Sequence, residues 1–532
     1  MKVGIIAVHM DPTRGARHYR GVLQPQIGPL IAALLPDNAE VEVVNDTWRD
    51  PDWSRDYDLL FLSCLHADFD RARQISHYWR RRGTKTVLGG VLASTYPSLC
   101  APWFDAVVIG DPETTVPRIV DDFRLGRLGR VYTAGPYAPD RVPAPRLELT
   151  ARQQLLPLSL EVTRGCPFSC DFCGLTAFGT RHHVRPVESV MRDLAQGRAA
   201  LRGFPGWKGR VAGFYDNNLG GNLGYLRALC AALEGRDVLW GAAVTFNVIS
   251  DADLVRRMAD AGCRGVFVGL ESFNPRTLAD MGKHQNVVSR ARAAIENCHR
   301  QGIVVMAGLV LSPRLDDLEY LRSIPSHLTA CGLEVPTFVC FEAPIPGTPH
   351  FMRLAADPQP MFLPDARLCD FTGYTLVTRP ALASTDEFIA AYRALHRELF
   401  APLRRLKKLA HDAWRLAASR RLLGVAFDFF EVLDHSPTLP ARRTLLAGTD
   451  PLPPELGRVP FTDADFRDEV ERAALLNPTR VTDAAGRALP EWLGAVPAYR
   501  SKGRQAPQAC PTTFSEPASP RPLAAPEPAF VS

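Results

Sequence analysis

Thr163-Arg164-Gly165-Cys166-Pro167-Phe168-Ser169-Cys170-Asp171-Phe172-Cys173-Gly174 places three cysteines in a C-x3-C-x2-C run. Gly165, Pro167 and Gly174 supply turn-forming backbone, so the run reads as a loop able to wrap a compact metal centre. Thiolates are soft ligands suited to iron–sulfur clusters and zinc. A four-iron cluster usually takes four protein thiolates, so three local ones leave one iron open to a reactant. Two other readings stay open on spacing alone. A structural zinc site wants four ligands; no second C-x2-C pair exists, but His182 or His183 is near enough in sequence to serve. Three buried thiols without metal are the third possibility.

Downstream of the loop, β-branched runs alternate with helical patterns. Strands are expected at Leu158–Val162, Val211–Tyr215, Leu239–Thr245, Gly265–Gly269, Val304–Leu311 and Val335–Phe341. Helices are expected at Asn222–Leu233, Asp251–Ala261 and Asn286–Arg300, with Asp251 as an N-cap and Gly262 and Gly302 as stops. Six β/α units predict a partial (β/α)6 barrel over residues 158–355. Chemistry in such barrels gathers at the carboxyl ends of the strands. That rule selects the cysteine loop, Asp216-Asn217-Asn218, Asn247, Glu271-Ser272 and Ser312, whose carboxylates, amides and hydroxyl can grip polar ligand groups.

Upstream, residues 1–134 show a second alternation. Strands are expected at Val3–Val8, Val41–Asn45, Asp58–Cys64, Thr86–Leu88 and finally Ala106–Ile109, with helices at Pro29–Leu35 and Ala72–Arg82. The pattern predicts a Rossmann-like, doubly wound parallel sheet whose ligands sit beyond the carboxyl strand ends. Three ends stand out: the polar His9–Gly15, Ser63-Cys64-Leu65, and Gly89-Gly90, where a ligand can approach a backbone without side chains. Residues 135–157 are a proline-rich, extended linker. Residues 356–499 read as mainly helical, with helices at Asp386–Phe400 and Leu403–Leu423. The latter carries Arg404, Arg405, Lys407, Lys408, Arg415, Arg420 and Arg421; such a charge run reads first as a solvated face, with anionic lipid as the other option. The Pro-, Ala- and Ser-rich stretch 500–532 is expected to be disordered.

Composition narrows the classes. At 532 residues the chain has room for two to four domains. A hydrophobic content of 46% is ordinary for a globular protein, and a net charge of +5 gives no case for nucleic acid. No apolar run is long enough to span a bilayer, and no signal-peptide layout opens the chain. The 12 cysteines therefore read as cytoplasmic thiols, not a disulfide framework.

With these residues in view, the sequence resembles the cobalamin-dependent (class B) radical S-adenosylmethionine (SAM) enzymes. The resemblance rests on the C-x3-C-x2-C run with Phe172 before its third cysteine, the preceding Thr-Arg-Gly, and Phe178-Gly179-Thr180-Arg181. Looser matches are Asp216-Asn217-Asn218, Gly269-Leu270-Glu271-Ser272, Met281-Gly282-Lys283 and Pro344-Ile345-Pro346-Gly347-Thr348-Pro349. It implies that Cys166, Cys170 and Cys173 hold a [4Fe–4S] cluster whose open iron chelates SAM, with Phe172, Asp216, Asn217, Glu271 and Ser312 as SAM-binding candidates. Reductive cleavage would release a deoxyadenosyl radical, and an external donor such as flavodoxin or ferredoxin would supply the electron. Ser63, Leu65, Gly89 and Gly90 match the elements that flank cobalamin in this family. The family's Asp-x-His-x-x-Gly is absent, which argues against a histidine on cobalt. The implied activity is methylation of an unactivated carbon of a small molecule or natural product. A porphyrin-cyclase-like ring closure, a cluster enzyme without cobalamin, an iron–sulfur electron carrier and a zinc scaffold are the alternatives.

Overall fold

In the computed structural model the two alternations become two six-stranded parallel sheets. The structure describes residues 1–9, 26–179, 182–418, 446–447, 468–469, 472–473, 475 and 477–494. The Thr180-Arg181 end of one family-like segment, most of the first loop (10–25) and the 500–532 tail lie outside the described residues.

The N-terminal sheet comprises β1 (Lys2–Ala7), β2 (Glu40–Asn45), β3 (Leu59–Ser63), β4 (Lys85–Gly89), β5 (Ala106–Ile109) and β6 (Val131–Thr133) in the order β2-β1-β3-β4-β5-β6. β6 is a correction to the sequence reading, which ended this sheet at Ala106–Ile109. Three residues are too few for a periodic signal, and pairing with β5 rather than local pattern makes this strand. The strand order reverses between β1 and β3, where the amide of Val8 donates to the carbonyl of Ser63 at 2.9 Å. Ser63-Cys64-Leu65 therefore lies at the topological switch point, the place where open α/β sheets bind ligands.

A two-residue ribbon, β8 (Thr163–Arg164) with β9 (His183–Val184), brackets the cysteine loop. It sits between the first two strands of the second sheet: β7 (Leu158–Leu160), β10 (Val211–Phe214), β11 (Leu239–Val244), β12 (Cys263–Glu271), β13 (Val304–Leu311) and β14 (Phe338–Phe341). The order β14-β13-β12-β11-β10-β7 follows the chain, with a helix between successive strands, which is the partial (β/α)6 barrel. Local signals act as read. The Asp251 side chain accepts from the Leu254 amide, and Gly262 stops that helix at φ 99°. A Cβ on Gly262 would lie 2.1 Å from the Val238 carbonyl, so no other residue fits there.

One face of the N-terminal sheet, with Leu60, Leu62, Phe69 and Trp79, shares a continuous apolar core with the barrel; the other face has its own. Beyond the barrel, the helices Thr385–Leu399 and Pro402–Ala418 match the expectation as far as Ala418; the end of the second expected helix, with Arg420 and Arg421, lies outside the described residues. Residues 362–378 and 477–494 are instead mainly turns and irregular stretches, with single-turn helices at Leu368–Asp370 and Pro490–Leu493, joined by single bridges such as Arg367 to Arg480. The last segment returns to the N-terminal sheet. Trp492 is fully buried, and its carbonyl accepts from Tyr96 Oη at 2.9 Å.

The basic helix also departs from its sequence reading. Its inward face holds Lys408 and Asp412, paired at 2.6 Å, while Leu403, Leu406 and Trp414 are 63%, 63% and 72% exposed. The charges are thus not all on a solvated face. Buried pairing with a carboxylate four residues away explains how a lysine can face inward.

Trp492→Ala removes a wholly buried indole, at a cost of about 3–5 kcal/mol for such truncations. The expected result is protease sensitivity of residues 477–494 at temperatures where the parent resists. Unchanged digestion would contradict the role given to this segment.

Candidate active site at the cysteine loop

Four neighbours hold the cysteine loop at the barrel mouth. Asp216, just past β10, accepts the amides of Val162 and Thr163 on one carboxylate oxygen, the former at 2.9 Å. Its other oxygen is buried without a hydrogen-bond partner among the described residues, and burial pushes its pKa up to about 7. The Asp171 amide donates to the Met281 carbonyl (3.2 Å), and the Asp171 carbonyl accepts from the His350 amide (3.1 Å). The Asp171 carboxylate pairs with Arg353.

The thiols sit in partly buried surroundings. Asn218 Nδ2 lies 3.5 Å from Cys166 Sγ, while its amide oxygen accepts from Gly220 N and Thr245 Oγ1. Burial raises the Cys170 pKa to about 11, opposed by Lys283, and also raises that of Cys173. These thiols keep their protons until a metal displaces them. Among the described residues no three His, Cys, Asp or Glu side chains converge as a single-ion site. His183 packs edge-on against Tyr137 with centroids 5.1 Å apart, and His182 crowds Gly221 beside Pro167. Soft thiols at this spacing suit an iron–sulfur cluster, which three of them would hold with one iron open.

The fourth strand ends in a strained turn. Glu271 adopts φ 62°, uncommon outside glycine, where β12 slips register against β13. Its side chain folds back over Gly269, where a Cβ would lie 2.2 Å from Glu271 Oε1. Asn286 Nδ2 holds this turn through the carbonyls of Gly269 and Leu270 at 2.8 and 2.9 Å. Glu271 pairs with the buried Lys283 at 2.6 Å, and Lys283 Nζ stands 5.9 Å from the Phe172 ring centroid. Burial alone would lower the Lys283 pKa, but Glu271 and the cysteines drive it up.

Ser312, after β13, donates to Glu342 Oε2 at 2.9 Å, and its amide donates to Asp316. Glu342 Oε1 and His350 Nδ1 face each other at 3.7 Å, both buried and without hydrogen-bond partners among the described residues. Of the candidates from sequence, Phe172, Glu271 and Ser312 thus line the end that holds the thiols. Asn217 points to solvent, and Asp216 is largely spent on the loop backbone. Sequence reading gave no role to Lys283, Asn286, Glu342 or His350. Glu342 and His350 flank the Pro344–Pro349 segment, which was the available signal.

At the switch point, Leu65 is 57% exposed. Gly90 has φ 106°, and a Cβ there would lie 2.7 Å from the Cys64 carbonyl. Its glycine therefore permits the close approach of two strand ends; around Gly89 an added Cβ would meet only Val108 Cβ at 3.9 Å. The helix Val91–Thr95 after this turn packs on Gly174–Phe178, the helix that closes the cysteine loop.

Parallel barrel, thiol loop and strand-end polar groups together define the class. Residues 160–324 match the radical SAM superfamily, a class that works with a [4Fe–4S] cluster and SAM. Among its relatives is bacteriochlorophyllide d C-8(2)-methyltransferase of Chlorobaculum tepidum, 26% identical over 60% of this chain and 73% of that protein. Hopanoid C-2 methylase of Rhodopseudomonas palustris is 24% identical over 62% and 64%. The fold is similar to that of the radical SAM methyltransferase TsrM from Kitasatospora setae, solved with cobalamin and a [4Fe–4S] cluster. That match has a TM-score of 0.57 and 17% identity, and covers 80% of this chain and 99% of TsrM.

Glu342 gives a pH signature. Burial raises its pKa to about 7, against 4.5 for a free side chain, so the folded state prefers the protonated acid. Stability contributed by this group falls as pH rises from about 4.5 to about 7. Glu342→Gln should match the parent's thermal midpoint at acid pH and exceed it by roughly a few degrees at alkaline pH. Scanning calorimetry at both ends of the range checks this; parallel pH profiles would contradict it.

Proposed function

We propose that this enzyme is a cobalamin-dependent radical SAM methyltransferase acting on an unactivated carbon of a small molecule. The observation that carries the reading is the meeting of two carboxyl edges. The switch point of the N-terminal sheet and the thiol loop of the barrel approach through the packed helices Val91–Thr95 and Gly174–Phe178. The names of the relatives, a bacteriochlorophyllide methyltransferase and a hopanoid C-2 methylase, support methyl transfer to carbon.

The residues present fit the groups this chemistry needs. Cys166, Cys170 and Cys173 would hold the cluster. Ser63, Leu65 and Gly89 would border the cobalamin at a switch point that combines a hydroxyl, an exposed apolar side chain and an open glycine. His66 Nε2 is committed to the Phe371 carbonyl at 2.7 Å. When bound, the cluster supplies electrons to SAM, and cobalamin supplies a transferable methyl group.

This chain's own task is orientation and exclusion of water. Glu271, fixed by Lys283 and Asn286, presents a carboxylate toward the loop. Phe172 covers Lys283, and Ser312 is turned toward Glu342. An external reductant of the flavodoxin or ferredoxin type would serve it, and a cytoplasmic location suits both the reductant and the reduced thiols.

The test is anaerobic reconstitution with iron, sulfide and cobalamin, followed by reduction in the presence of SAM and candidate acceptors. Deoxyadenosine should form and an acceptor should gain one methylene unit. Cys166→Ala, Cys170→Ala and Cys173→Ala should each abolish deoxyadenosine. An acceptor that loses hydrogen or gains oxygen instead would replace methyl transfer with ring-closing chemistry.

A further inference from the structure

Arg164 stands two residues before Cys166, and its guanidinium is almost wholly enclosed by acids from both halves of the molecule. On the barrel side it pairs with Glu161 at 2.8 Å. From the loop and helix that follow β5 come Glu113 at 2.8 Å and Asp111 at 3.0 Å. Both nitrogens of the fork are used on Glu113, and Nε also reaches Glu161 at 2.8 Å. Tyr137, from the linker, closes the assembly: its ring lies 4.2 Å below the guanidinium and its hydroxyl donates to Glu161 at 3.1 Å. One cation thus serves three carboxylates and an aromatic face, contributed by three parts of the chain.

The electrostatics are demanding. Burial alone would lower the Arg164 pKa, but the carboxylates more than reverse this. Asp111 is raised by burial even beside the cation. Without the guanidinium, three partly buried acids would face each other across the junction, and like charges there repel. A lysine could keep the charge but not the planar fork that reaches both halves at once.

We propose that Arg164 is a positioning residue that fixes the cysteine loop against the carboxyl edge of the N-terminal sheet, setting the reach between the two reactive centres. The reach between centres rests on the methyltransferase reading above; the fastening of the loop does not. Transfer between two bound groups is steeply sensitive to geometry, whereas chemistry confined to the loop is not.

The experiment compares full-length parent, Arg164→Gln and Arg164→Lys in two measurements. Amide hydrogen exchange of the protein without cofactors should accelerate in Arg164→Gln both at 111–118 and at 165–174, segments far apart in sequence, with Arg164→Lys intermediate. In anaerobically reconstituted protein supplied with SAM and reduced hydroxocobalamin, no acceptor is needed. Arg164→Gln should keep its iron and sulfide and form deoxyadenosine within about twofold of the parent, while methylcobalamin formation falls about tenfold or more.

Exchange that changes only around 161–166, or methylcobalamin formation that falls only in step with iron content, would overturn the proposal. A parent protein that binds no corrin would defeat the methyltransferase reading by itself. The exchange measurement would then still decide whether Arg164 fastens the loop.

Discussion

A twelve-residue loop bearing three thiols has little regular structure of its own, so its shape depends on what surrounds it. Here the surroundings are mostly polar. The Asp216 carboxylate takes two amides just before the loop, Met281 and His350 take both backbone groups of Asp171, and Arg164 ties the loop to the opposite sheet. Buried backbone groups must find partners, and in this loop they find them in the segments that follow barrel strands β10, β12 and β14. The rest of the architecture follows from that need: six parallel strands deliver their carboxyl ends to one rim, and the rim holds the loop.

The same rim carries charge that a purely structural core would avoid. Lys283 and Glu271 are paired away from water, and Glu342 and His350 leave facing atoms without hydrogen-bond partners among the described residues. Burying such groups costs several kcal/mol unless they are paired or meet a ligand. Glu271 adds backbone strain to this, and the glycine two residues earlier exists to let its side chain pass. Strain and unmatched polarity concentrated at one end of a barrel are the features on which the proposed site rests.

Much of this was legible in the sequence, for identifiable reasons. The barrel strands are continuous β-branched runs, and the glycine stops need positive φ, so both announce themselves locally. The cysteine loop was legible because thiol spacing is chemically specific. The three-residue strand Val131–Thr133 was not, since only its pairing with β5 makes it a strand. The inverted helix Pro402–Ala418 was misread because a charge run does not say which face its partners occupy; the Lys408–Asp412 pair turns it inward. Asp216 and Asn217 were both attractive as strand-end polar groups, yet only tertiary contacts reveal that one holds backbone amides and the other faces solvent. Arg164 was visible only as part of a motif, because two of its partners, Asp111 and Glu113, lie about 50 residues upstream beside the other sheet.

The central claim is that three thiols on this loop leave one iron open for SAM. Electron paramagnetic resonance of the reconstituted, reduced protein before and after addition of SAM tests it most directly. The account predicts a reduced [4Fe–4S] signal whose g values shift when SAM is added. A signal indifferent to SAM, or protein that takes up zinc and forms no cluster, would contradict it.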